Sequence, residues 1–115
     1  MGKACRPDRV QIAFESASLR AICESEAQAA AELSPTIARA LKNRLADMDA
    51  ASYATDLIAG TPRQLAGADH GCMAVALADG LEIVFCSNHP RPPLTETGHV
   101  DWARVSRVRI MRIGR

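Results

Sequence analysis

The stretch MAVALADGLEIVF, from Met73 to Phe85, decides the fold because it holds two alternating runs with a turn between them. Apolar side chains alternate with small or polar ones in both runs: Met73, Val75 and Leu77, then Leu81, Ile83 and Phe85. This alternation is typical of half-buried strands. The intervening Asp79-Gly80 pair favours positive φ at both positions, so the stretch predicts a two-residue antiparallel hairpin.

Upstream of this hairpin, the sequence predicts one strand and two amphipathic helices. Residues 10–14 alternate and predict a first strand. Ser16 or Ser18 offers an N-cap for a helix that runs to about Glu32. Ser34-Pro35 then starts a second helix, with serine as N-cap and proline at the first helical position. The apolar side chains of this second helix share one stripe: Ile37, Leu41, Leu45 and Met48.

Downstream of the hairpin, prolines interrupt regular structure before a last strand. Three prolines predict a loop over residues 87–100, and residues 105–113 predict a strand. In this strand the apolar residues move from even positions, Val108 and Ile110, to odd positions at Met111 and Ile113. This change indicates either a bulge or burial on both faces. The whole order predicts an α+β fold with a largely antiparallel sheet, covered on one face by the helical hairpin.

Length and composition fit one globular domain. The chain has 115 residues, of which 48% are hydrophobic and 3% aromatic, so a single domain over residues 1–115 is expected, with residues 1–8 flexible. No apolar run approaches the ~20 residues of a membrane span, and the N-terminus lacks the apolar segment of a secretory signal. We therefore expect a cytoplasmic protein without membrane association.

The spacing of the cysteines and the distribution of charge indicate which kinds of binding site to expect. Cys5, Cys23, Cys72 and Cys86 are scattered without a C-x-x-C motif, which predicts reduced core residues rather than a zinc or thioredoxin-like site. The net charge is only +1, but from Trp102 onward there are five arginines and no acidic residue. Such a local excess favours binding of phosphate groups.

The element order and several short motifs resemble the RelE/HigB superfamily of toxins from bacterial toxin–antitoxin pairs, in its plasmid-maintenance killer or killer-suppression branch. The motifs are LRAICE at 19–24, RLADM at 44–48, DLIAGTP at 56–62 followed by LAG at 65–67, VF at 84–85 with His89, DW at 101–102, and VRI at 108–110 with IG at 113–114. The resemblance implies a RelE-like fold: an N-terminal strand, a two-helix hairpin and a three-stranded antiparallel meander.

The resemblance also implies a function and partners. Such toxins are endoribonucleases that cut mRNA on the ribosome through attack by a ribose 2′-hydroxyl on the adjacent phosphate, without a metal ion or other cofactor. This chemistry needs a base for the hydroxyl proton, cations for the phosphorane charge and a proton for the leaving oxygen. A helix-turn-helix antitoxin is the implied protein partner, and the cytoplasm the implied location.

Four residues are candidates for the catalytic site. Arg63 lies where the family places a basic loop residue, and its planar fork suits a phosphate. Arg107 and Arg109 share one strand face if Val108 and Ile110 point to the helices. His89 matches a histidine after the V-F strand of the family and suits acid–base work. The alternatives are a solvated loop arginine, ordinary edge-strand charges and a structural histidine.

Further basic residues are candidates for nucleic-acid binding: Arg39, Lys42, Arg104 and Arg112. The alternative for Arg39 and Lys42, which lie on the second helix, is a solvated helix face.

Trp102 can stack on a base or anchor the core, and its status as the only tryptophan favours the core.

Two features depart from the family pattern. Glu82 stands in or near the place of an arginine in active relatives, and a carboxylate there repels a phosphate. Relatives usually end in I-G-D-Y-H, whereas this sequence ends at Ile113-Gly114-Arg115. Two alternatives to the ribonuclease therefore stay open: a RelE-like module that mainly binds an antitoxin, and a nucleic-acid-binding regulator.

Overall fold

A computed structural model describes residues 10–51, 53, 62–65, 71–89 and 91–114. Its elements follow this order: β1 (Gln11–Phe14), α1 (Ala17–Glu24), α2 (Glu26–Glu32), α3 (Pro35–Ala50), β2 (Arg63–Gln64), β3 (Cys72–Ala76), β4 (Glu82–Ser87), a 3-10 helix (Trp102–Arg104) and β5 (Arg107–Gly114). In the described residues, three α-helices accompany a mixed five-stranded sheet, which is an α+β fold.

The sheet has the strand order β1-β5-β4-β3-β2. Strands β3, β4 and β5 form the predicted antiparallel meander. Two features of the sheet were not predicted. The N-terminal strand β1 pairs in parallel with β5, and the short β2 pairs antiparallel with β3. The parallel pairing joins the two ends of the described chain and brings β1 beside the arginine-bearing strand.

The helical layer begins differently from the sequence prediction. One helix was expected from Ser16 or Ser18 to about Glu32, but two helices occupy this stretch. Ser25 separates them because its backbone is extended and its side chain accepts a hydrogen bond from the Gln28 amide at 3.2 Å. A serine that caps a helix in this way competes with helix continuation. The prediction of a single continuous helix is wrong.

The start of α3 is confirmed. Pro35 is its first residue, and the Ser34 hydroxyl accepts a hydrogen bond from the Ile37 amide at 3.1 Å. The predicted stripe is buried at Ile37, Leu41 and Met48 and partly buried at Leu45, and of these Leu41, Leu45 and Met48 pack in the main core with the sheet residues. The core lies between this stripe and one sheet face, where Phe85 and Trp102 meet edge to face at 6.0 Å.

The β3–β4 hairpin carries the predicted positive φ angles at both turn positions, 54° at Asp79 and 79° at Gly80. Leu77 donates its amide to the Leu81 carbonyl at 2.8 Å, and Leu81 donates to Ala78 at 2.9 Å. The loop between the facing residues Leu77 and Leu81 therefore has three residues rather than the two expected. The alternating apolar pattern is confirmed, since Met73, Val75, Ile83 and Phe85 all belong to the main core.

A bulge in β5 explains the change of apolar parity near the end of the chain. Phe85 pairs with Ile110, but the preceding Val84 pairs with Arg112, so Met111 is an extra residue. Ile113 consequently pairs with the buried Ile83 and packs against the main core. Of the two explanations that the sequence left open, the structure shows the bulge.

The expectation of reduced cysteines is wrong for one pair. Cys72 and Cys86 are directly opposite each other on β3 and β4 and form a disulfide. The wide sequence separation hid this pairing, which depends on strand register. Cys23 is a half-buried free thiol, and burial raises its pKa to about 11, with a further contribution from Glu24. Because disulfides are rare in cytosolic proteins, the cytoplasmic location stays a prediction.

Some predictions lie outside the described residues. These are the flexibility of residues 1–8, most of the 56–67 motif, and the environment of Cys5 and His70. Within the described part of the chain, no helix is both long and apolar enough to cross a membrane.

Candidate nucleic-acid interface

One face of the sheet is turned away from the helices and carries a set of arginines. On this face Cys72, Ala74 and Val84 form a small apolar cluster that is separate from the main core. We call this surface the arginine face, after four residues of β2 and β5: Arg63, Arg107, Arg109 and Arg112. Arg63 belongs to it because it pairs directly with Ala74.

Strand β5 supplies three of these arginines through simple alternation and one bulge. Val108 and Ile110 are buried in the main core, so Arg107 and Arg109 point to the opposite side, as predicted. The bulge at Met111 returns Arg112 to this side, beside Val84. In a strand that contained Met111 but no bulge, Arg112 would follow the alternation of Val108 and Ile110 and face the core. The arginine face thus carries a row of three cations along one strand.

Arg109 is held by partners on two neighbouring segments. Its Nε donates to Oδ1 of Asn88 at 3.3 Å, just after the end of β4. Its Nη1 lies 3.4 Å from Oε1 of Glu15, which follows β1. The Arg109 side chain remains 43% exposed. The guanidinium is therefore oriented by its neighbours yet accessible to a solvent-side anion.

Arg63 is paired with the carboxylate that departs from the family pattern. Its Nη2 lies 2.7 Å from both Oε1 and Oε2 of Glu82. The Glu82 side chain is the more buried partner, at 23% exposed against 55% for Arg63. The negative charge of Glu82 thus offsets the positive charge of Arg63 at this end of the arginine face.

His89 is engaged with the backbone at the start of β5. Its Nε2 accepts hydrogen bonds from the amides of Ser106 at 3.0 Å and Arg107 at 3.2 Å. Burial lowers the pKa of His89, and the positive charge of Arg107 lowers it further. Both effects favour the neutral ring, whose proton then resides on Nδ1. In this arrangement His89 fixes the backbone that carries Arg107.

The other sequence candidates are not brought together with this face. Arg39 and Lys42 lie on exposed positions of α3, on the helical side of the sheet, and Lys42 pairs with Glu26 at 3.5 Å. Arg104 stabilises the loop before β5: its Nε donates to Oδ2 of Asp101 and its Nη2 donates to the Leu94 carbonyl, both at 2.9 Å. The structure thus separates these three residues from Arg112, which does join the row.

The candidate Trp102 and the loop histidine His99 also have structural neighbours. Trp102 is 4% exposed and forms part of the main core, which matches the core interpretation rather than base stacking. His99 accepts or donates a hydrogen bond at Nδ1 with the Thr97 hydroxyl at 3.0 Å. Among the described residues, no group of three histidine, cysteine or acidic side chains is arranged to hold a metal ion.

Sequence reasoning missed two polar residues that border the row. Asn88 contacts Arg109, and Gln11 lies opposite Arg107 in the parallel β1–β5 pairing. Asn88 stands next to the candidate His89 at the end of an alternating run, which is a signal that could have singled it out. Nothing in the sequence reveals Gln11, because its position depends on the pairing of strands from opposite ends of the chain.

The chain was compared with protein-family models, curated proteins and solved structures, and none of them matches it.

Proposed function

We propose that this protein is a RelE/HigB-like toxin that acts on RNA through the arginine face, as a metal-independent, ribosome-dependent mRNA endoribonuclease. A single observation carries the proposal: Arg107, Arg109 and Arg112 form one row of cations on the sheet face opposite the helices. The element order and the motifs of the sequence support the family assignment. A helix-turn-helix antitoxin is the proposed partner, and the cytoplasm the proposed location.

The row suits the backbone of a single RNA strand. Residues two apart on a strand are separated by about 7 Å, so consecutive arginines contact different parts of an extended ligand. Guanidinium groups bind phosphates bidentately and remain charged at any physiological pH. They also stabilise the extra negative charge of the phosphorane that forms when a 2′-hydroxyl attacks the adjacent phosphate. Within this proposal the arginines bind RNA and lower the barrier electrostatically.

His89 acts in this proposal as a positioning residue. Its Nε2 already accepts two backbone hydrogen bonds, so it takes no proton from a ribose hydroxyl while these bonds persist. The two bonds hold the start of β5 and therefore the backbone of Arg107. A His89→Gln variant keeps a side-chain acceptor and is expected to retain more activity than His89→Ala.

The test is cleavage of mRNA by purified protein in the presence of intact ribosomes. Wild-type protein should yield fragments with 2′,3′-cyclic phosphate ends, which are the product of 2′-hydroxyl attack. The double variant Arg107→Gln/Arg109→Gln should lose at least about tenfold in rate, as expected for transition-state contacts. The matched control is Arg39→Gln on the helical side, which should cleave normally. Cleavage that is equal in all three proteins contradicts the proposal.

A second function is favoured by a specific observation. Carboxylates lie against the arginine face, since Glu82 pairs with Arg63 and Glu15 pairs with Arg109. These pairs weaken the positive field that a nuclease needs and leave a module that mainly binds an antitoxin. This alternative predicts no cleavage and no growth inhibition, together with a stable complex with the helix-turn-helix protein encoded next to it.

A further inference from the structure

A cavity of about 240 Å³ opens at the end of the arginine row, between β1, β4 and β5. It is lined by Gln11, Ile12, Ala13, Asn88 and Arg107. Three of these side chains are polar, and each comes from a different segment of the chain. The volume is below the ~300–1,000 Å³ of pockets for drug-sized ligands, so the cavity suits a smaller group such as one nucleobase.

The backbone around this cavity is hydrogen-bonded on both sides. The Gln11 amide donates to the Ser106 carbonyl at 2.8 Å, which ties β1 to the start of β5. The Asn88 amide donates to the Arg107 carbonyl at 2.8 Å, which ties the end of β4 to the same place. Because β5 anchors both segments, the backbone positions of Gln11, Asn88 and Arg107 are fixed relative to one another before any ligand binds.

The contact between Arg109 and Asn88 sets the polarity of the cavity. A guanidinium only donates hydrogen bonds, so the atom of Asn88 that faces Arg109 must be the oxygen Oδ1. The donors of the Asn88 carboxamide, on Nδ2, are then left for other partners. Arg107 adds further donors and no acceptor. Since Oδ1 of Asn88 already accepts from Arg109, the acceptor that Gln11 contributes to the cavity lining is its own Oε1.

We infer that this cavity binds a guanine base of the RNA, an inference that rests on the proposed RNA-binding function. Guanine presents two adjacent acceptors, O6 and N7, which match the paired donors of an arginine. Its N1 hydrogen can be accepted by Oε1 of Gln11. Adenine and cytosine would instead present an amino group to the donors of Arg107 and Asn88, so that donors would face one another and these hydrogen bonds would not form. Arg107 therefore recognises the base, while Arg109 and Arg112 bind backbone phosphates.

The experiment measures binding of fluorescent RNA hexamers by anisotropy at low salt. The ligands are CCCGCC, CCCACC and CCCCCC, which differ only at the fourth base. Wild-type protein should bind the guanine hexamer about tenfold more tightly than the other two, since a good bidentate base contact contributes about 1–3 kcal/mol. Gln11→Leu should reduce this ratio. Gln28→Leu, the same substitution on α2, should leave it unchanged.

A change of preference gives the sharper test. Arg107→Gln replaces the donor pair with a carboxamide, which pairs bidentately with N6 and N7 of adenine. This variant should therefore favour CCCACC over CCCGCC. If wild-type protein binds all three hexamers equally and in a salt-dependent way, guanine recognition is wrong and backbone binding stands. If folded wild-type protein binds none of them, the RNA-binding function itself is overturned.

Discussion

The guanidinium of Arg63 and the carboxylate of Glu82 lie in direct contact across β3, with Nη2 at 2.7 Å from both carboxylate oxygens. Both side chains are on the arginine face, so the pair removes one cation from the surface available to RNA. An ion pair this exposed contributes only about 0–1 kcal/mol to folding. Its main consequence is therefore electrostatic rather than structural.

Glu82→Gln is predicted to strengthen RNA binding because Arg63 becomes available to a phosphate. Affinity for a single-stranded RNA should rise by up to about fivefold, which corresponds to about 1 kcal/mol. The slope of log affinity against log salt should steepen by about 0.7, the value for one added phosphate contact. Anisotropy titrations at several salt concentrations measure both. Glu24→Gln on α1 is the control, and a weaker affinity for Glu82→Gln would contradict the prediction.

Arg112→Gln tests the end of the arginine row created by the bulge. Loss of one phosphate contact should weaken RNA binding uniformly across sequences and reduce the salt slope by about 0.7. The free energy of unfolding should change by less than about 1 kcal/mol, because Arg112 is exposed. Salt-dependent titrations and urea unfolding measure the two effects separately. An unchanged salt slope would show that Arg112 does not contact the RNA backbone.

The lowered pKa of His89 predicts a pH dependence of stability. The unfolded chain has the ordinary histidine pKa of about 6.5, so on acidification it binds a proton before the folded chain does. The contribution of neutral His89 is thus fully present above about pH 6.5 and is lost as the pH falls toward the lower folded pKa.

Thermal unfolding between pH 8 and pH 5 measures this effect. The wild-type Tm should fall more steeply than that of His89→Gln, which keeps an acceptor for the Ser106 and Arg107 amides but does not titrate. The other histidines are common to both proteins and cancel in the comparison. Parallel curves for the two proteins would mean that His89 does not titrate differently in the folded state.

The Cys72–Cys86 disulfide is predicted to stabilise the fold. Its partners are 14 residues apart, and closing a loop of this size contributes about 3 kcal/mol in the chain-entropy account. Reduction with dithiothreitol should therefore lower the urea midpoint of the wild-type protein. The double variant Cys72→Ala/Cys86→Ala should show no response to dithiothreitol. If the wild-type midpoint is equally insensitive, the disulfide is absent or makes no contribution.

Local signals in the sequence predicted much of the fold correctly. Asp79 and Gly80 specify their turn through positive φ, and Ser34 with Pro35 specifies the start of α3 through capping. The alternation of Val108 and Ile110 with Arg107 and Arg109 likewise predicted the arginine face. Each of these features depends on residues within a few positions of one another.

Features that depend on distant residues were missed. The disulfide requires Cys72 and Cys86 to be opposite each other, and the Arg63–Glu82 pair requires the register of β2 and β3. The cavity at Gln11 requires β1 to lie beside β5, almost a hundred residues away along the chain. Ser25 is the exception, since its capping role was visible locally but the helical periodicity across it dominated the prediction.

Met111 is the residue that β4 leaves unpaired between Ile110 and Arg112, and this has a consequence for how the chain can change over time. Deleting Met111 would restore simple alternation, with Arg112 still beside Val84 and Ile113 still opposite Ile83. One more residue inserted beside Met111 would instead exchange the environments of Arg112 and Ile113 in a strand that keeps a single-residue bulge, placing a charge in the core. At this point evolution can therefore shorten β5 by one residue more easily than it can lengthen it.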